Sequence, residues 1–395
     1  MAVAIAAVVS TAVACSSSGG ASASSSCSAP GVTPTQVNLG MIYPDTGAGA
    51  VTVAGVREGV DARLGEANAA GGIHGRKVVY TWRDDQANPD TNRQAVDDLI
   101  NKQHVFGVIE TSFGSAGGAD VLAAANVPVA GIETGPDWTT HRNMFSFAYT
   151  AGTPTDTHGI FARSRGGTRA VVLRTGLSSG ASSSSDRFVQ SLRAAGIPVL
   201  ATLDFTMGAD SPSAIAAQIA ASGADTILSI IEPGAFVEIL DALRAIGRSP
   251  KVAMSLSGYS DQMLRTYGAG AAGVVVPLFY RPFESGGPAI QRYLDAMARY
   301  APQIPAHQDV PMMSYISTDM FLRGLELAGP CPTRRGFIDA LHSVTNYDAG
   351  GLITPLNVRD EFGKPTTCYA FTQVNPQGNA FTVAEQRLCG KSLAP

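Results

Sequence analysis

Residues 68–89 read NAAGGIHGRKVVYTWRDDQANP. The stretch opens at the end of an amphipathic helix whose apolar face carries Val56, Val60 and Leu64. Gly71 and Gly72 end that helix, because glycine accepts the left-handed C-terminal conformation without penalty. Ile73 is left to plug the layer beneath. Gly75 turns the chain into the β-branched run 78–82, which reads as a buried strand, with Asp84 and Asp85 expected just past its C-terminal end. A strand at 37–43 precedes the helix, so the grammar is βαβ and the sheet is parallel.

The same alternation runs outward from this unit. Helices are expected at 91–101 and 115–125, and strands at 105–109 and 127–132, which makes one α/β lobe. A second series starts after residues 150–152. Its strands are expected at 170–173, 199–205, 226–231 and 251–254, and its helices at 186–195, 212–221 and 235–246. A long strand at 273–280 has the length to cross back. Helices at 289–300, 313–327 and 333–344 follow, and the chain closes on a hairpin, 368–374 and 381–384. The fold class is α/β, with two Rossmann-like lobes of parallel sheet. A chain of 395 residues exceeds what one hydrophobic core usually supports, which also argues for two lobes.

Composition narrows the function. Apolar residues make up 45%, charged residues 15%, and the net charge is −4, so no basic surface points to nucleic acid. Residues 1–14 are apolar but too short for a bilayer, which needs about 20 residues. They end Ala12-Val13-Ala14-Cys15, which resembles a lipoprotein signal with Cys15 as the acylated residue, although no Lys or Arg precedes the apolar run. A non-lipidated signal peptide is the alternative. The Ser/Gly/Ala-rich 16–35 reads as a flexible tether. Setting Cys15 aside leaves Cys27, Cys331, Cys368 and Cys389, which reads as two disulfides with three possible pairings.

Two motifs of catalytic type are weak. Gly176-Leu177-Ser178-Ser179-Gly180 matches G-x-S-x-G between a strand and a helix, with Asp309 and His342 in the chain order of a triad. The serine run continues through Ser185, however, and no oxyanion motif accompanies it. A serine hydrolase using Ser178 therefore stands as a minor alternative. Gly268 to Gly273 spells G-x-G-x-x-G, but a helix precedes it and a strand follows, the reverse of the dinucleotide context. The six histidines are scattered. No enzyme activity, cofactor or metal is expected.

The loop after the third strand holds the strongest binding signal. Thr111 and Ser112 offer hydroxyls, Phe113 follows, and Gly114 to Gly117 open a helix whose N–H groups and dipole favour an anion. Ser112 or Ser115 also suits a helix N-cap.

The wording AAGGIHGRKV…RDDQANP resembles the type I periplasmic solute-binding proteins of ABC importers, in their branched-chain amino acid and amide branch. The resemblance covers about residues 37–374, and is sharpest over 68–89. It implies lobes joined by three hinge crossovers, with lobe one at 36–150 and 281–358 and lobe two at 151–280 and 359–395. It implies a ligand between the lobes, with a serine of the Thr111–Ser112 loop on its carboxylate and Ile132 and Thr134 beside it. Thr52 stands where the family often has an aromatic residue. In lobe two, family tyrosines fall on Ser179 and Glu232. The acid that receives the ligand's ammonium falls on Ser257, within the 255–259 segment that ends at Tyr259. The lobe boundaries favour Cys27–Cys331 and Cys368–Cys389, since a bridge between lobes resists hinge motion. The implied function is delivery of an amino acid, an amide or a related carboxylate to a permease by a monomer outside the cell membrane. An extracellular sensor domain for a membrane receptor is the alternative. Replacing Cys15 with Ser is expected to release the protein into the medium or leave it unprocessed, since stable anchoring needs two acyl chains or more; unchanged partition into the detergent phase counts against the anchor.

Overall fold

The computed structural model describes residues 27, 29–47, 49–175 and 179–393, together with Met1, and for 179–183 the backbone. Cys15 and Ser178 lie outside the described residues. In chain order the elements are β1 (Gln36–Tyr43), α1 (Val56–Ala69), β2 (Lys77–Asp84), α2 (Pro89–Asn101), β3 (Val108–Glu110), α3 (Ala116–Ala124), β4 (Val129–Gly131), α4 (Asp137–Thr140) and β5 (Met144–Phe145). Then come α5 (Thr157–Ser164), β6 (Ala170–Thr175), α6 (Ser179–Ala194), β7 (Val199–Phe205), α7 (Pro212–Ser222), β8 (Thr226–Ser229), α8 (Pro233–Ala245), β9 (Val252–Ser255), α9 (Asp261–Tyr267) and β10 (Val274–Leu278). The last are α10 (Pro288–Tyr300), α11 (Asp309–Leu327), α12 (Arg334–His342), α13 (Val358–Glu361), β11 (Cys368–Val374) and β12 (Phe381–Cys389).

The Gly-Gly turn closes α1 as a Schellman motif. Gly71 N–H donates to Asn68 O (3.2 Å) and Gly72 N–H to Ala67 O (2.9 Å). Both glycines have positive φ, 103° and 74°. A Cβ on Gly72 would also lie 1.9 Å from Arg76 O, so no side chain fits there. Asn68 then acts as a piece of backbone: its amide donates to Val78 O and accepts from Val78 N–H, both at 2.8 Å, which pins the start of β2.

The strands form two sheets. The first is parallel throughout, in the order β2-β1-β3-β4-β5. The second runs β12-β11-β10-β9-β8-β6-β7, parallel except that β11 pairs antiparallel with both β10 and β12. The chain passes between the sheets after β5, after β10 and before β11. The first and third passages are tied together by Thr366 N–H to Tyr149 O (2.8 Å) and Tyr149 N–H to Thr366 Oγ1 (2.9 Å). Helices α10 to α13 come between the second and third passages, and α10 and α11 pack on α1. Both disulfides, Cys27–Cys331 and Cys368–Cys389, are present.

Several boundaries differ from the sequence expectation. Residues 29–35 are not free tether: Val32 is buried and bridges to Val37. Asp84 ends β2 and Glu110 ends β3, so neither is a loop residue. The short α5 and β5 were not expected: the Thr/Pro/Gly-rich 150–157 that leads into α5 reads as loop, and β5 is only two residues long. Helix α6 starts at Ser179, not 186, because helix-neutral serines continue a turn that Phe188, Val189 and Leu192 anchor downstream.

Helix α11 depends on a close contact. A Cβ on Gly59 of α1 would lie 2.1 Å from both Pro311 O and Ser314 Oγ. Gly59→Ala is expected to cost about 1–3 kcal/mol by overpacking, read as a fall in the denaturation midpoint. A stabilised variant, showing only the helix-propensity gain, would mean that α11 is not seated on this face.

Candidate functional site

Strands β3 and β4 end side by side, Glu110 opposite Gly131, so their following loops meet at the C-terminal edge of the first sheet. Thr134 Oγ1 donates to Ser112 O (2.5 Å) and lies 3.2 Å from Ser115 Oγ. Ser115 Oγ donates to Asp137 Oδ2 (2.9 Å). Thr111, Ser112 and Ser115 are buried, and Ile132 and Thr134 half-buried. The structure thus brings Thr111, Ser112, Ile132 and Thr134 together. Neither Ser112 nor Ser115 caps α3 with its side chain, contrary to the N-cap expectation. The glycines at the start of α3 let α2 approach: a Cβ on Gly117 would lie 1.8 Å from Pro89 O.

A buried polar cluster supports this loop. Ser112 Oγ accepts from Gly114 N–H (2.9 Å) and donates to Asp85 Oδ2. Asn92 Nδ2 donates to Asp85 Oδ2 and to Glu110 Oε1, both at 2.8 Å. Asp85, Asn92, Glu110 and Ser112 are fully buried. Burial pushes the Glu110 carboxyl up to about 8, against the Asn92 hydrogen bond and with the Asp85 and Asp137 charges adding to the rise. Glu110 is therefore a neutral acid at pH 7. The Asn92 Oδ1 and Glu110 Oε2 oxygens are buried without a hydrogen-bond partner, and protonation makes the Glu110 carboxyl a donor as well as an acceptor. The neighbouring Asp84 pins the first loop, accepting from Thr46 Oγ1 (2.5 Å) and Asp45 N–H (3.0 Å). Thr52 sits exposed in that loop.

The second sheet's expected residues behave differently. Glu232 is exposed, and its Oε2 accepts from Ala235 N–H (2.8 Å), capping α8. Ser257 is exposed, and its carbonyl accepts from Ser255 Oγ (2.8 Å). Tyr259 is 1% exposed; its hydroxyl donates to Glu284 Oε2 (2.6 Å) and accepts from Phe283 N–H (2.8 Å). Tyr259 thus holds the second passage in place. The Ser179 side chain lies outside the described residues.

A cavity of about 210 Å³ opens where the passages cross. Its walls include Tyr149 to Thr155 of the first passage, His158 of α5, Arg187 and Phe188 of α6, Leu256, Phe279, Tyr369, and Asp309 and Met313 of α11. Of the ten ligand residues expected from sequence, the nine whose side chains are described do not line it. Asp309 begins α11 and accepts from Tyr280 Oη at 2.6 Å; burial pushes its carboxyl up to about 6 despite that bond. Burial pulls His158 down to about 4, so it is neutral. Glu133, after β4, accepts from Thr150 Oγ1 (2.9 Å) and Ala151 N–H (3.1 Å), which holds the first passage to the first sheet. Arg187 donates to Ser184 Oγ (3.0 Å). Burial pushes the Glu133 carboxyl up, against the hydrogen bonds from Thr150 and Ala151 and the Arg187 charge. Sequence reading did not single out Glu133 or Arg187, and took Asp309 only as a possible triad member; polar residues beside strand ends were the available signal. Asp309 and His342 do not form a triad, since His342 Nε2 bonds Arg142 O (2.8 Å). Among the described residues no three acids, histidines or cysteines gather as metal ligands, and no helix is long and apolar enough to cross a membrane.

Residues 36–379 match the model of the family described as periplasmic binding protein. The chain belongs to that family. A Leu/Ile/Val-binding protein homologue of Brucella melitensis is 23% identical over 312 residues, 78% of this chain and 83% of its own. Solved structures share the fold. A fatty acid ABC transporter substrate-binding protein from Thermomonospora curvata superposes with a TM-score of 0.75 at 20% identity, covering 91% of this chain and 94% of its own. A branched-chain amino acid transporter substrate-binding protein from Streptococcus pneumoniae, in complex with isoleucine, gives 0.74 at 14% identity, covering 90% and 100%. A solute-binding protein from R. palustris, in complex with 4-hydroxybenzoate, gives 0.71 at 16% identity, covering 91% and 96%. These relatives are solute-binding proteins, not enzymes.

The buried acid yields a pH test. The folded-state value of Glu110 is raised above its unfolded value, so the native state binds the extra proton and its stability falls as pH rises from about 4.5 to about 8. Glu110→Gln keeps the amide-type pairing with Asn92 and has no proton to lose. Urea denaturation at pH 5 and pH 8 is expected to show the variant gaining on the wild type with rising pH, by up to about 1.4 kcal/mol per unit. Parallel profiles would show that Glu110 is ionised in the fold.

Proposed function

We propose that this chain is an exported, membrane-tethered solute-binding protein that delivers a small carboxylate- or amide-bearing ligand to an ABC importer. Its lobes are residues 36–150 with 281–358 and residues 151–280 with 359–395, and they close on the ligand by bending at the three passages. The observation that carries this reading is the meeting of the β3–α3 and β4–α4 loops. There Ser112 and Thr134 stand at an α3 start that has no side-chain cap, a place that favours a carboxylate. Ligands sit at the C-terminal ends of strands in such sheets. Val51, Phe113 and Met207, 86%, 51% and 66% exposed, all lie in strand-to-helix loops at these ends. Lobe closure would cover them. Isoleucine and 4-hydroxybenzoate, held by two of the similar structures, both carry a carboxylate. The tether through Cys15 keeps the protein beside its permease as a monomer.

Native mass spectrometry of gently purified protein is expected to show a bound small molecule. Its removal and return should expand and then contract the molecule in small-angle scattering. Thr134→Val, which removes a hydroxyl at the carboxylate site, should weaken binding about tenfold, the effect of one hydrogen bond to a charged group. A ligand that binds with no change in dimensions, and equally well to Thr134→Val, would overturn both the closure and the site.

A further inference from the structure

A second cavity lies against the three passages between the sheets. It holds about 510 Å³, and all three supply its walls: Phe147, Tyr149 and Thr153 of the first, Phe279 of the second, and residues 364–368 of the third. The segment 353–356, before α13, and Arg387 of β12 complete it. A further cavity of about 450 Å³ shares Phe279, Ile353, Thr354, Pro355, Cys368 and Arg387 with it and adds Arg281, so the two form one groove. Both volumes fall in the range of about 300–1,000 Å³ that takes small-molecule ligands. The loops after β3, β4 and β9 contribute nothing to this groove, and neither do α6 and α11, which makes it distinct from the smaller cavity that Asp309 faces.

Three cations line the groove: Arg281, Lys364 and Arg387. Their backbones are pinned. Arg281 N–H donates to Leu352 O (2.7 Å) and Lys364 N–H to Glu361 O (3.0 Å), and Arg387 stands just before Cys389, whose bridge to Cys368 ties β12 to β11. Their charged heads are free of ion pairs among the described residues, and Arg387 reaches only the Cys368 sulfur, at 3.9 Å. Two acids share the lining: Glu361, whose Oε2 accepts from Asn357 N–H (2.9 Å), and Glu385. Positive charge is thus in excess, in a chain whose net charge is −4. Phe147, Tyr149 and Ile353 are buried, and with Phe279 and Leu356 they give the groove an apolar floor. Beside such a floor an ion pair gains more than in open water, and arginine forks match pairs of phosphate oxygens.

We propose that this groove is a second ligand site, and that it takes a phosphate monoester with an aromatic or apolar body. Arg387, common to both halves of the groove, receives the doubly charged head with Lys364 and Arg281 to either side, and the body lies on the apolar floor. Tyr149, Thr153, Phe279, Pro365 and Thr366 line the groove and the smaller cavity alike. An occupant of the groove therefore meets the passage residues that lobe bending moves. Bound anion and bound solute then change each other's affinity by the same factor; that coupling rests on the solute-binding reading above, and the site itself does not.

The probe is naphthyl phosphate, with naphthol and inorganic phosphate as its two halves, titrated by calorimetry into full-length protein. Wild type is expected to bind the probe at least about tenfold more tightly than either half, as a hydrogen bond to a charged group implies, and added salt should weaken it. Arg387→Gln and Lys364→Gln should each weaken the probe about tenfold, and Thr134→Val should leave it unchanged. Hydrogen exchange at residues 147–153 and 364–368 should slow when the probe is bound. No binding of the probe overturns the proposal. So does naphthol that binds as tightly as its phosphate, since the groove then offers apolar surface alone, and so does an affinity that both cation variants retain. A probe that Thr134→Val weakens and that protects residues 111–117 instead sits in the solute site, which overturns the second site and leaves the solute-binding reading standing. Failure of the solute tests leaves the second site standing in turn. The three cations are exposed, so the variants are expected to fold. Should one not fold, the wild-type comparison and exchange pattern decide, and unchanged exchange at the passages overturns the proposal.

Discussion

Helix α11 can lie where it does because α1 presents it a residue with no side chain. Gly59 meets Pro311 O and Ser314 Oγ at a distance that no Cβ would permit. The contact puts a helix from late in the chain against the first βαβ unit. Twelve residues of α11 are buried, Met312, Tyr315, Ile316 and Phe321 among them. Its C-terminal end is held as well. His74 reaches Glu326 O, and Arg76 donates to Pro330 O (2.7 Å) beside the Cys27–Cys331 bridge. With both ends fixed, the first residue of α11 has nowhere to go but the cavity wall. Asp309 stands there for reasons of packing set some distance away.

The loop after β3 rests on a different kind of support. Asp85, Asn92, Glu110 and Ser112 are joined by hydrogen bonds with no exposure to solvent. Two carboxylates buried so close together would repel. Keeping Glu110 neutral removes that repulsion and makes its carboxyl a donor as well as an acceptor. The loop is thus rigid from below, as a preorganised binding surface has to be. The passages between the sheets are held more lightly. Tyr149 and Thr366 join two of them by a pair of hydrogen bonds, and Glu133 holds the first to its sheet. Such connections suit bending, while the sheets on either side stay intact.

Local rules were sufficient for most of the architecture. Gly71 and Gly72 had to end a helix, and the run that starts at Val78 had to be a buried strand. The alternation of elements then required parallel sheets. The wording of residues 68–89 carried the family, and with it the hydroxyls of Thr111, Ser112 and Thr134 at one sheet edge. Each of these features depends on residues within a few positions of one another, or on a strand and the loop that follows it. Short elements in polar stretches escaped that logic. Helix α5 and the start of α6 are written in residues that read equally well as loop, and their apolar anchors pack against strands far along the chain.

What the second half of the site does depended on the tertiary structure. Glu232, Ser257 and Tyr259 all lie in loops that follow strands of the second sheet, so sequence position alone could not separate them. Packing separates them: one caps a helix, one faces solvent, and one is buried with its hydroxyl engaged. Asp309 reads in the sequence as an acid four residues before the helix expected at 313–327, and it draws notice only for its chain order in a triad. The return of α11 to the first sheet, across 250 residues from Gly59 to Asp309, is what buries it and turns it toward the cavity. A sequence records which side chains are available. Whether a carboxylate meets solvent, a backbone N–H or an enclosed cavity is decided by what the distant chain covers, because charge and hydrogen-bonding capacity have consequences only once water is excluded.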